Sequence, residues 1–431
     1  MNLLFIHPNM PGQYKHLARA FGAEGGHRIY FITKHKSAEI AGVTRITYGM
    51  PKLDAPPPSH RYLATATRGV MQGQQVWRVC RQLQRRENFT PEIIICHPGW
   101  GDALFLREIF PQAKILSFFE FYYHAHGADV GFEEPATADD AARIRMKNVI
   151  NLMSLEQADW GITPTVWQWS VHPKDFAHKL SVLHDGVDVE ICRPDPEAIF
   201  TLPNGRTFRA GDEVVTYVAR NFEPYRGFST FMHAAEILLR DRPNLHIVAV
   251  GADSVSYGRK APDGKTYRQI LSEEVHLPEA RMHFVGTLAY ADLIRLFQVS
   301  AAHLYLTYPF VLSWSMLEAM AAGVALVASD TKPVREVVEH GVNGMRVDFF
   351  SPAEVAATVS RLLDDPQRNA AMRAAARATV VGRFALANLL PLHMQLVREV
   401  AAGQIPPPVA EKIKAISLIA PYAQAMWQAN S

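Results

Sequence analysis

The chain has 431 residues, of which 48% are hydrophobic and 20% charged, and its formal net charge is only +2 at pH 7. This length predicts two domains, each large enough for its own core, and the near-neutral charge gives no reason to expect a nucleic-acid partner. The three widely spaced cysteines predict neither a disulfide framework nor a zinc site. Met1–Ile6 is too short for a signal peptide and no long apolar run follows, so we expect a cytoplasmic protein.

The first half of the chain alternates short apolar runs with helical patterns. Asn2–Ile6 predicts a buried strand, and Gln13–Phe21 carries apolar residues at the spacing of an amphipathic helix. Further strands are predicted at Arg28–Thr33, Glu92–Cys96, Lys114–Phe118, Trp160–Thr163 and Leu180–Leu183, with the longest helix over Ala138–Gln157. Strand–helix alternation of this kind predicts a parallel sheet covered on both faces.

The same alternation restarts after Pro194 and Pro196, which fit neither a helix nor a central strand. We therefore predict domains over residues 1–195 and 196–382, followed by a helical tail over 383–431. The elements predicted after the boundary are strands at Val214–Val218, Leu245–Val250, Met282–Val285, His303–Leu306 and Val324–Ala328, and helices at Gly227–Arg240, Ala289–Gln298, Pro352–Leu363, Pro366–Val380 and Leu386–Val400. Pro51–His60 predicts a surface loop, and Ile413–Trp427 an apolar segment that packs on the protein.

Residues 300–345 hold the most informative pattern. A strand leads into a loop, then into a helix predicted to carry Glu318 in its first turn, then into a second strand. Phosphorylated ligands bind at such helix starts in open α/β sheets. Ser315 and Glu318 also have the S-x-x-E spacing of a capping box, which on spacing alone is the preferred interpretation of Glu318. The functional alternative is a carboxylate that accepts hydrogen bonds from a ribose diol.

Two arginines, Arg220 and Arg226, flank the loop that follows the strand at Val214–Val218. Arginine binds phosphate bidentately and never loses its charge, so the pair could hold a diphosphate and stabilise it as a leaving group. From spacing alone, two solvated loop arginines are the simpler interpretation.

Polar residues follow several predicted strands of the first domain. Gly12 would let a ligand approach the backbone at the start of a helix. His97, Glu120, His124 and His126 each follow a predicted strand and are candidates for lining a binding site. The His-x-His spacing has no supporting ligand nearby, so we predict no metal. No G-x-S-x-G, P-loop or G-x-G-x-x-G pattern is present, which disfavours hydrolase, NTPase and dehydrogenase functions.

Several segments together resemble the GT4-type (group 1) glycosyltransferases. MNLLFIHPNMPGQYKHLA and GGHRIYFIT are similar to the first strands of that family, and VLHDGVDVEICRPDP is similar to its interdomain hinge, with Asp185 where Asn is usual. VARNFEPYRGFSTFMHA matches the diphosphate-binding segment, so that Arg220 and Arg226 stand for the family's Arg and Lys and Ala219 for a usual Gly. The most specific match is LEAMAAGVALVASD with REVVEHGVNG.

The resemblance implies a GT-B architecture, in which two Rossmann-like, doubly wound domains face each other across a cleft and a C-terminal helix crosses back to the first domain. It implies a retaining transfer from an NDP-sugar, UDP- or GDP-linked, without a bound metal or other cofactor. The residues implied for binding the donor are Gly12, Arg220, Arg226, Ser313, Trp314, Ser315 and Glu318, of which Arg220, Arg226 and Glu318 would also act in catalysis.

One position departs from the family. Two glutamates eight positions apart are usual, and Glu318 matches the second, whereas Phe310 occupies the place of the first. In the family the first glutamate lies near the sugar, so the departure concerns sugar binding and turnover.

We therefore predict a hexosyltransferase that serves a polysaccharide, glycolipid or similar acceptor, bound on the side of His97, Glu120, His124 and His126. The alternatives are a GT-B homologue that binds a nucleotide sugar or a partner protein without efficient transfer, and an NDP-sugar epimerase. Arg78, Arg81 and Arg85 share one face of a predicted helix, and with the apolar tail they leave open a peripheral contact with the inner face of the membrane.

Overall fold

A computed structural model describes residues 1–50, 60–404 and 406 of the chain. The described residues form two units, one built from Met1–Asp185 together with the residues after Leu386, and the other from Gly186–Leu386. The contacts between residues divide the chain after Asp185 and again after Leu386, whereas the proline and helix patterns predict boundaries after residues 195 and 382. Most of the loop predicted at Pro51–His60 and all of Ile413–Trp427 lie outside the described residues.

The first unit contains a parallel sheet of seven strands in the order β3-β2-β1-β4-β5-β6-β7. The sequence pattern missed β3, a four-residue strand with no fully buried side chain to produce an apolar run. The strands are β1 (Asn2–Ile6), β2 (Arg28–Thr33), β3 (Thr44–Thr47), β4 (Ile93–Cys96), β5 (Lys114–Phe118), β6 (Trp160–Thr163) and β7 (Leu180–Val182).

Successive residues of the central strands are buried on opposite faces of this sheet. In β1, Leu4 and Ile6 belong to one hydrophobic cluster, whereas Leu3 and Phe5 belong to another. Because side chains alternate along a strand, burial of both sets means that helices cover both faces, as the continuous apolar runs predict.

The helices of this unit differ from prediction in two respects. The longest of them is Ala64–Glu87, with 24 residues, and not the helix expected over Ala138–Gln157. The expected helix over Ala138–Gln157 is two helices, interrupted at Asn148. The Asn148 side chain accepts a hydrogen bond from Tyr123 N and donates one to Tyr123 O, so it anchors the loop after β5. The helices are α1 (Lys15–Glu24), α2 (Ala64–Glu87), α3 (Ala138–Lys147), α4 (Val149–Gln157) and α5 (Val166–Ser170).

The second unit repeats the architecture with a parallel sheet of six strands, ordered β12-β11-β10-β13-β14-β15, and a separate hairpin of β8 and β9. Its strands are β8 (Ile199–Thr201), β9 (Thr207–Arg209), β10 (Val214–Asn221), β11 (His246–Ala252), β12 (Met282–Phe284), β13 (Ala302–Tyr305), β14 (Ala325–Ser329) and β15 (Met345–Val347). Its helices are α6 (Phe228–Asp241), α7 (Tyr267–Glu274), α8 (Tyr290–Val299), α9 (Trp314–Ala321), α10 (Lys332–Arg335), α11 (Pro352–Asp364) and α12 (Pro366–Phe384).

A last helix, α13 (Leu386–Ala401), returns the chain to the first unit. Its residues Leu396, Val397 and Val400 are buried in the cluster that contains Leu3 and Phe5 of β1. The prediction that the C-terminal helix packs on the first domain is therefore confirmed. Within the described residues, no helix combines the length and the apolar character that crossing a membrane requires.

Candidate functional site

The strand order of the second sheet reverses between β10 and β13. From β10 the chain proceeds outward through β11 and β12, whereas β13 begins the other half of the sheet on the opposite side. At such a switch point the loops after the two strands lead away from each other and leave a crevice where ligands bind. Arg220 and Arg226 lie at the end of β10 and in its loop, and Ser313 lies in the loop after β13.

Arg226 connects these two loops. It is buried, and its Nη1 donates hydrogen bonds to Thr307 Oγ1 at 2.8 Å, Tyr305 Oη at 3.3 Å and Val311 O at 3.4 Å. Its Nε and Nη2 make no hydrogen bond to the described residues, so donors on the rest of the guanidinium can bind an anion. The side chain is thus fixed in place and not a solvated loop arginine.

Arg220 has a different environment. It is exposed, and in the described part of the chain it forms neither a hydrogen bond nor an ion pair. The two arginines that look equivalent in the sequence therefore differ, because Arg226 is buried and held by hydrogen bonds whereas Arg220 is exposed to solvent.

Gly227, immediately before α6, allows the chain to turn beside Arg226. Its φ of +63° lies in the left-handed region, and a Cβ atom there would come within 2.5 Å of Leu306 Cβ. Only glycine fits both conditions without displacing the loop after β13.

Glu223 lies between the two arginines and was not singled out by the sequence pattern. It is completely buried, and its carboxylate accepts hydrogen bonds from the backbone N–H groups of Ser256, Tyr257 and Gly258 at 3.0 to 3.2 Å. The carboxylate thereby fixes the loop after β11. Tyr257 of that loop lies 5.7 Å from the Arg226 guanidinium, measured to the ring centroid.

Phe310 occupies an aromatic cluster. Its ring is 2% exposed, 4.9 Å from the ring of Tyr257 and 5.5 Å from that of Tyr225, which stacks on Tyr308 at 4.6 Å. Aromatic rings at these separations stabilise one another beyond the area they bury. The residue that departs from the family pattern is therefore an integral part of the packing beside Arg226.

Helix α9 begins close to this cluster, but not as predicted. Ser313 is its N-cap, with its Oγ accepting from Ser315 N at 3.4 Å, so Ser315 lies inside the helix and Glu318 in the second turn. The predicted capping box of Ser315 and Glu318 and the placement of Glu318 in the first turn are both wrong, because the helix starts earlier. Ser313 N donates to Tyr305 Oη at 2.8 Å, and Trp314 is 43% exposed.

Glu318 is partly buried and has a partner from another helix. Its Oε1 accepts a hydrogen bond of 2.9 Å from the hydroxyl of Tyr290, the first residue of α8. The carboxylate thus interacts with a side chain from a neighbouring helix, and its role in binding a ribose stays a prediction.

The first unit has its own switch point, between β1 and β4, and two histidines lie at it. His7 and His97 follow these strands, are buried, and have ring centroids 5.3 Å apart. In each ring Nδ1 accepts a backbone N–H, from Asn9 and Gly99 respectively, which places the proton of the neutral imidazole on Nε2. Burial lowers the pKa of His7 to about 4 and that of His97 well below its usual value, so both are neutral at pH 7.

Gly12 and Glu120 join this histidine pair. Gly12 has a φ of +51°, and a Cβ atom on it would lie 2.6 Å from the His7 ring. Glu120 Oε2 is 3.8 Å from His97 Nε2, and Glu120 Oε1 accepts a hydrogen bond from Gln13 Nε2 at 3.3 Å. The structure therefore brings the predicted Gly12, His97 and Glu120 together.

His124 and His126 do not join them. His124 Nε2 lies 2.7 Å from Val171 O, and His126 is exposed in the loop after β5. Neither has a hydrogen bond or ring contact with His97 in the described part of the chain. Trp100, which no sequence argument selected, is 40% exposed and lies against both His7 and His97 with centroid separations of 5.2 and 4.5 Å.

Among the described residues, no three His, Cys, Asp or Glu side chains are grouped so that they could hold a metal ion. The functional candidates that the sequence missed are His7, Trp100, Glu223, Tyr257 and Tyr290. Each lies in a loop after a strand or at a helix start, but only contacts with residues distant in the chain distinguish them from other loop residues.

Two curated relatives illustrate what the chain is similar to. A D-inositol 3-phosphate glycosyltransferase of Thermobispora bispora is 28% identical over 46% of this chain and 45% of that protein. A GDP-mannose-dependent alpha-(1-6)-phosphatidylinositol monomannoside mannosyltransferase of Mycobacterium tuberculosis is 26% identical over 66% of this chain and 71% of that protein. The chain thus spans only about half the length of the inositol-phosphate relatives it matches.

Solved structures share the fold at lower identity. Sucrose-phosphate synthase from Thermosynechococcus elongatus has a TM-score of 0.71 at 19% identity, covering 94% of this chain and 100% of that one. Anabaena HepE in complex with UDP-glucose has a TM-score of 0.65 at 16% identity, with coverages of 94% and 100%. Together with the two Rossmann-like parallel sheets, these similarities confirm the predicted GT-B fold.

Two family profiles match the chain, and each covers most of one unit. Residues 25–192 match "Glycosyl transferase family 4 group", and residues 201–379 match "Glycosyl transferases group 1". The segments that carry the predicted resemblance lie within these two ranges, except for MNLLFIHPNMPGQYKHLA, which precedes the first range, and the last four residues of VLHDGVDVEICRPDP. The chain therefore belongs to the group 1 glycosyltransferases of family 4.

Proposed function

We propose that the protein is a retaining glycosyltransferase that moves a hexosyl group from an NDP-sugar to a glycan, glycolipid or other acceptor. The observation that carries this proposal is the position of Arg226. Its guanidinium is fixed across the switch point of the second sheet, and three of its acceptors lie in or before the loop that leads to α9. A diphosphate bound there would meet a permanent positive charge in a site shielded from water.

The donor diphosphate would be held from three directions. Arg226 supplies donors from a fixed guanidinium, exposed Arg220 can close on the phosphates from solvent, and the start of α9 adds backbone N–H groups and the positive end of the helix dipole. Negative charge that develops on the departing NDP would be stabilised by these same groups. Because protein cations supply that charge, we propose that no metal is required and that a chelator leaves the rate unchanged.

Glu318 would bind the ribose of the nucleotide. An ionised carboxylate accepts hydrogen bonds on both oxygens, which suits the vicinal hydroxyls of a ribose. Ser313, Trp314 and Ser315 form the helix start before it and complete the proposed donor site.

The acceptor would bind to the first unit, at the cluster of His7, Gly12, His97 and Glu120. Neutral imidazoles and a carboxylate match the hydroxyl groups of a sugar without imposing a net charge repulsion. Trp100, exposed beside them, offers an apolar ring face against which a sugar could pack. We do not assign His124 and His126 to this cluster, since neither has a hydrogen bond or ring contact with His97 among the described residues.

The relatives support both UDP- and GDP-sugars as donors. One is named as GDP-mannose-dependent, and a structural relative was solved with UDP-glucose. Relatives named for inositol phosphate and for a phosphatidylinositol mannoside favour a phosphorylated or lipid-linked polyol among the acceptors. Peripheral contact with the inner face of a membrane would follow from a lipid acceptor and belongs to this proposal.

The test is to incubate the purified chain with a panel of UDP- and GDP-sugars and to measure NDP release with and without extracted glycans and lipids. We expect slow release from one donor that accelerates with acceptor, and we expect Arg220→Ala to reduce it while Arg240→Ala, another exposed arginine of the same unit, does not. Tight donor binding without release, even with acceptors, would indicate the binding-only alternative. Conversion of the donor sugar into its epimer without transfer would indicate an epimerase.

A further inference from the structure

Tyr290 lies at the first position of α8 and contacts the carboxylate proposed to bind ribose. We propose that Tyr290 is a positioning residue, which orients the Glu318 carboxylate so that it discriminates a ribose diol from a deoxyribose. This inference rests on the proposed donor-binding role of Glu318 and adds to it the residue that sets its selectivity.

The phenol is held from two sides. Its Oη lies 2.9 Å from Glu318 Oε1 and 3.4 Å from the Sγ of Cys192, which is completely buried. The carboxylate is acceptor-only when ionised, so the tyrosine hydroxyl must donate to it. The thiol can then donate weakly to the phenolic oxygen, giving a chain of hydrogen bonds that runs from Cys192 through Tyr290 to Glu318.

Close packing of apolar side chains fixes helices α8 and α9 relative to each other. Ile294 and Phe297 of α8 share one hydrophobic cluster with Met316, Leu317 and Met320 of α9, and all of them are at most 4% exposed. Tyr290 and Glu318 therefore extend from two helices whose relative position is fixed by close packing. Cys192 belongs to the same cluster.

Arg377 forms a hydrogen bond with the backbone of Cys192. Its Nη1 donates to Cys192 O at 3.0 Å and to Ala321 O at the end of α9 at 2.6 Å. One guanidinium thus holds both the segment that carries Cys192 and the helix that carries Glu318. The position of the Tyr290 hydroxyl between these two residues is therefore supported by this contact as well as by the weak hydrogen bond to the thiol.

The chemistry suits a positioning role. Partial burial and the neighbouring Glu318 carboxylate raise the pKa of the Tyr290 phenol, so it stays protonated and keeps donating throughout the physiological range. A carboxylate offers about four lone-pair directions, so the hydrogen bond from Tyr290 favours one orientation of its plane and is compatible with further hydrogen bonds from ribose hydroxyls. Removing that bond removes one restraint on the Glu318 rotamer, and any freedom gained has to be given up again when the nucleotide binds.

The experiment is isothermal titration of UDP and GDP, each with its 2′-deoxy analogue, into the wild type, Tyr290→Phe, Glu318→Gln and the double variant. The ratio of the two Kd values for one base measures ribose selectivity. Tyr267→Phe is a matched control, because Tyr267 is also the first residue of a helix in this unit and donates its hydroxyl to a carbonyl, Arg259 O, at 2.9 Å. Melting temperatures within about 2 °C of the wild type verify that each variant is folded.

We expect Tyr290→Phe to reduce ribose selectivity by about fivefold to tenfold, mainly through weaker binding of the ribonucleotide. Tyr267→Phe should leave selectivity unchanged, and adding Tyr290→Phe to Glu318→Gln should have no further effect. Equal weakening of ribo- and deoxynucleotide by Tyr290→Phe, or a loss of selectivity that persists in the Glu318→Gln background, overturns the inference while the proposed function stands. Absence of any nucleotide binding by the wild type overturns the proposed function itself.

Discussion

Comparing the alanine variants of Arg226 and Arg220 separates the contribution of an arginine to nucleotide binding from its contribution to the stability of the fold. Both arginines are proposed to bind the diphosphate, yet Arg226 is 8% exposed with three intramolecular acceptors, whereas Arg220 is exposed and makes no such bond within the described residues. Arg226→Ala should therefore weaken both nucleotide binding and folding. Arg220→Ala should weaken nucleotide binding only.

The expected loss of stability follows from the contacts of Arg226. Removing the guanidinium breaks the 2.8 Å bond to Thr307 Oγ1 and two longer bonds to Tyr305 Oη and Val311 O. A hydrogen bond to a charged group contributes about 1.5–3 kcal/mol. Part of the loss is offset, because the alanine variant no longer buries a cation and so avoids its desolvation cost. We expect a net destabilisation of about 3 kcal/mol for Arg226→Ala and no resolvable change for Arg220→Ala.

Urea unfolding at pH 7 and titration of UDP and GDP provide the two readouts. For nucleotide affinity, we expect each variant to bind at least about tenfold more weakly, as loss of one charge-assisted phosphate contact implies. Arg226→Lys should retain part of the affinity but little of the stability, because one ammonium cannot replace a planar fork that reaches three acceptors and a phosphate. The reasoning is refuted if Arg226→Ala unfolds at the same urea concentration as Arg220→Ala.

Three further predictions concern residues around the two switch points. Phe310→Glu should lower the free energy of unfolding by about 3 kcal/mol and should not raise the rate of sugar transfer, because it buries a charge between the rings of Tyr225 and Tyr257. A variant that is as stable as the wild type and transfers sugar faster would contradict this. Glu223→Gln should lower the free energy of unfolding in urea by about 2 kcal/mol, because it turns an amide N–H₂ toward backbone donors. Glu236→Gln should lower it by less than about 1 kcal/mol, because its amide oxygen can still accept the exposed hydrogen bond from His276 N, and equal effects would argue against a structural role of the Glu223 carboxylate. Acid should destabilise the fold between about pH 6.5 and 4. The reason is that burial lowers the pKa of His7 and His172 to about 4 and that of His184 and His303 to about 3, so the unfolded chain takes up protons that the folded chain does not. The free energy of unfolding should fall by about 1.4 kcal/mol per pH unit for each histidine. An unfolding midpoint that is the same at pH 7 and pH 5 would contradict this.

Local patterns predicted most of the fold, because buried parallel strands are continuous apolar runs whatever their partners. Six of the seven strands in the first sheet were predicted, while β3 was missed because only partly buried and exposed residues form it. The interruption at Asn148 was invisible in the helical pattern around it, since it depends on hydrogen bonds to Tyr123, which is 25 residues away.

For the candidate site too, the sequence predicts the location but not the contacts of its residues. Its location follows from the sequence, because residues just after strands of a parallel sheet gather at one edge, and that rule selected Gly12, His97, Glu120 and Arg226. It also selected His124 and His126, which have no hydrogen bond or ring contact with His97 in the described part of the chain, so their place in the site stays a prediction.

What the sequence by itself determined is the family, the two α/β units and the residue types that could hold a diphosphate. Only the tertiary structure decided what each residue does there. It buries Arg226 while leaving Arg220 in solvent, packs Phe310 between tyrosines, and pairs Glu318 with Tyr290 from another helix. The physical reason is that burial and hydrogen bonding depend on neighbours contributed by distant segments, and spacing along one segment carries no information about them.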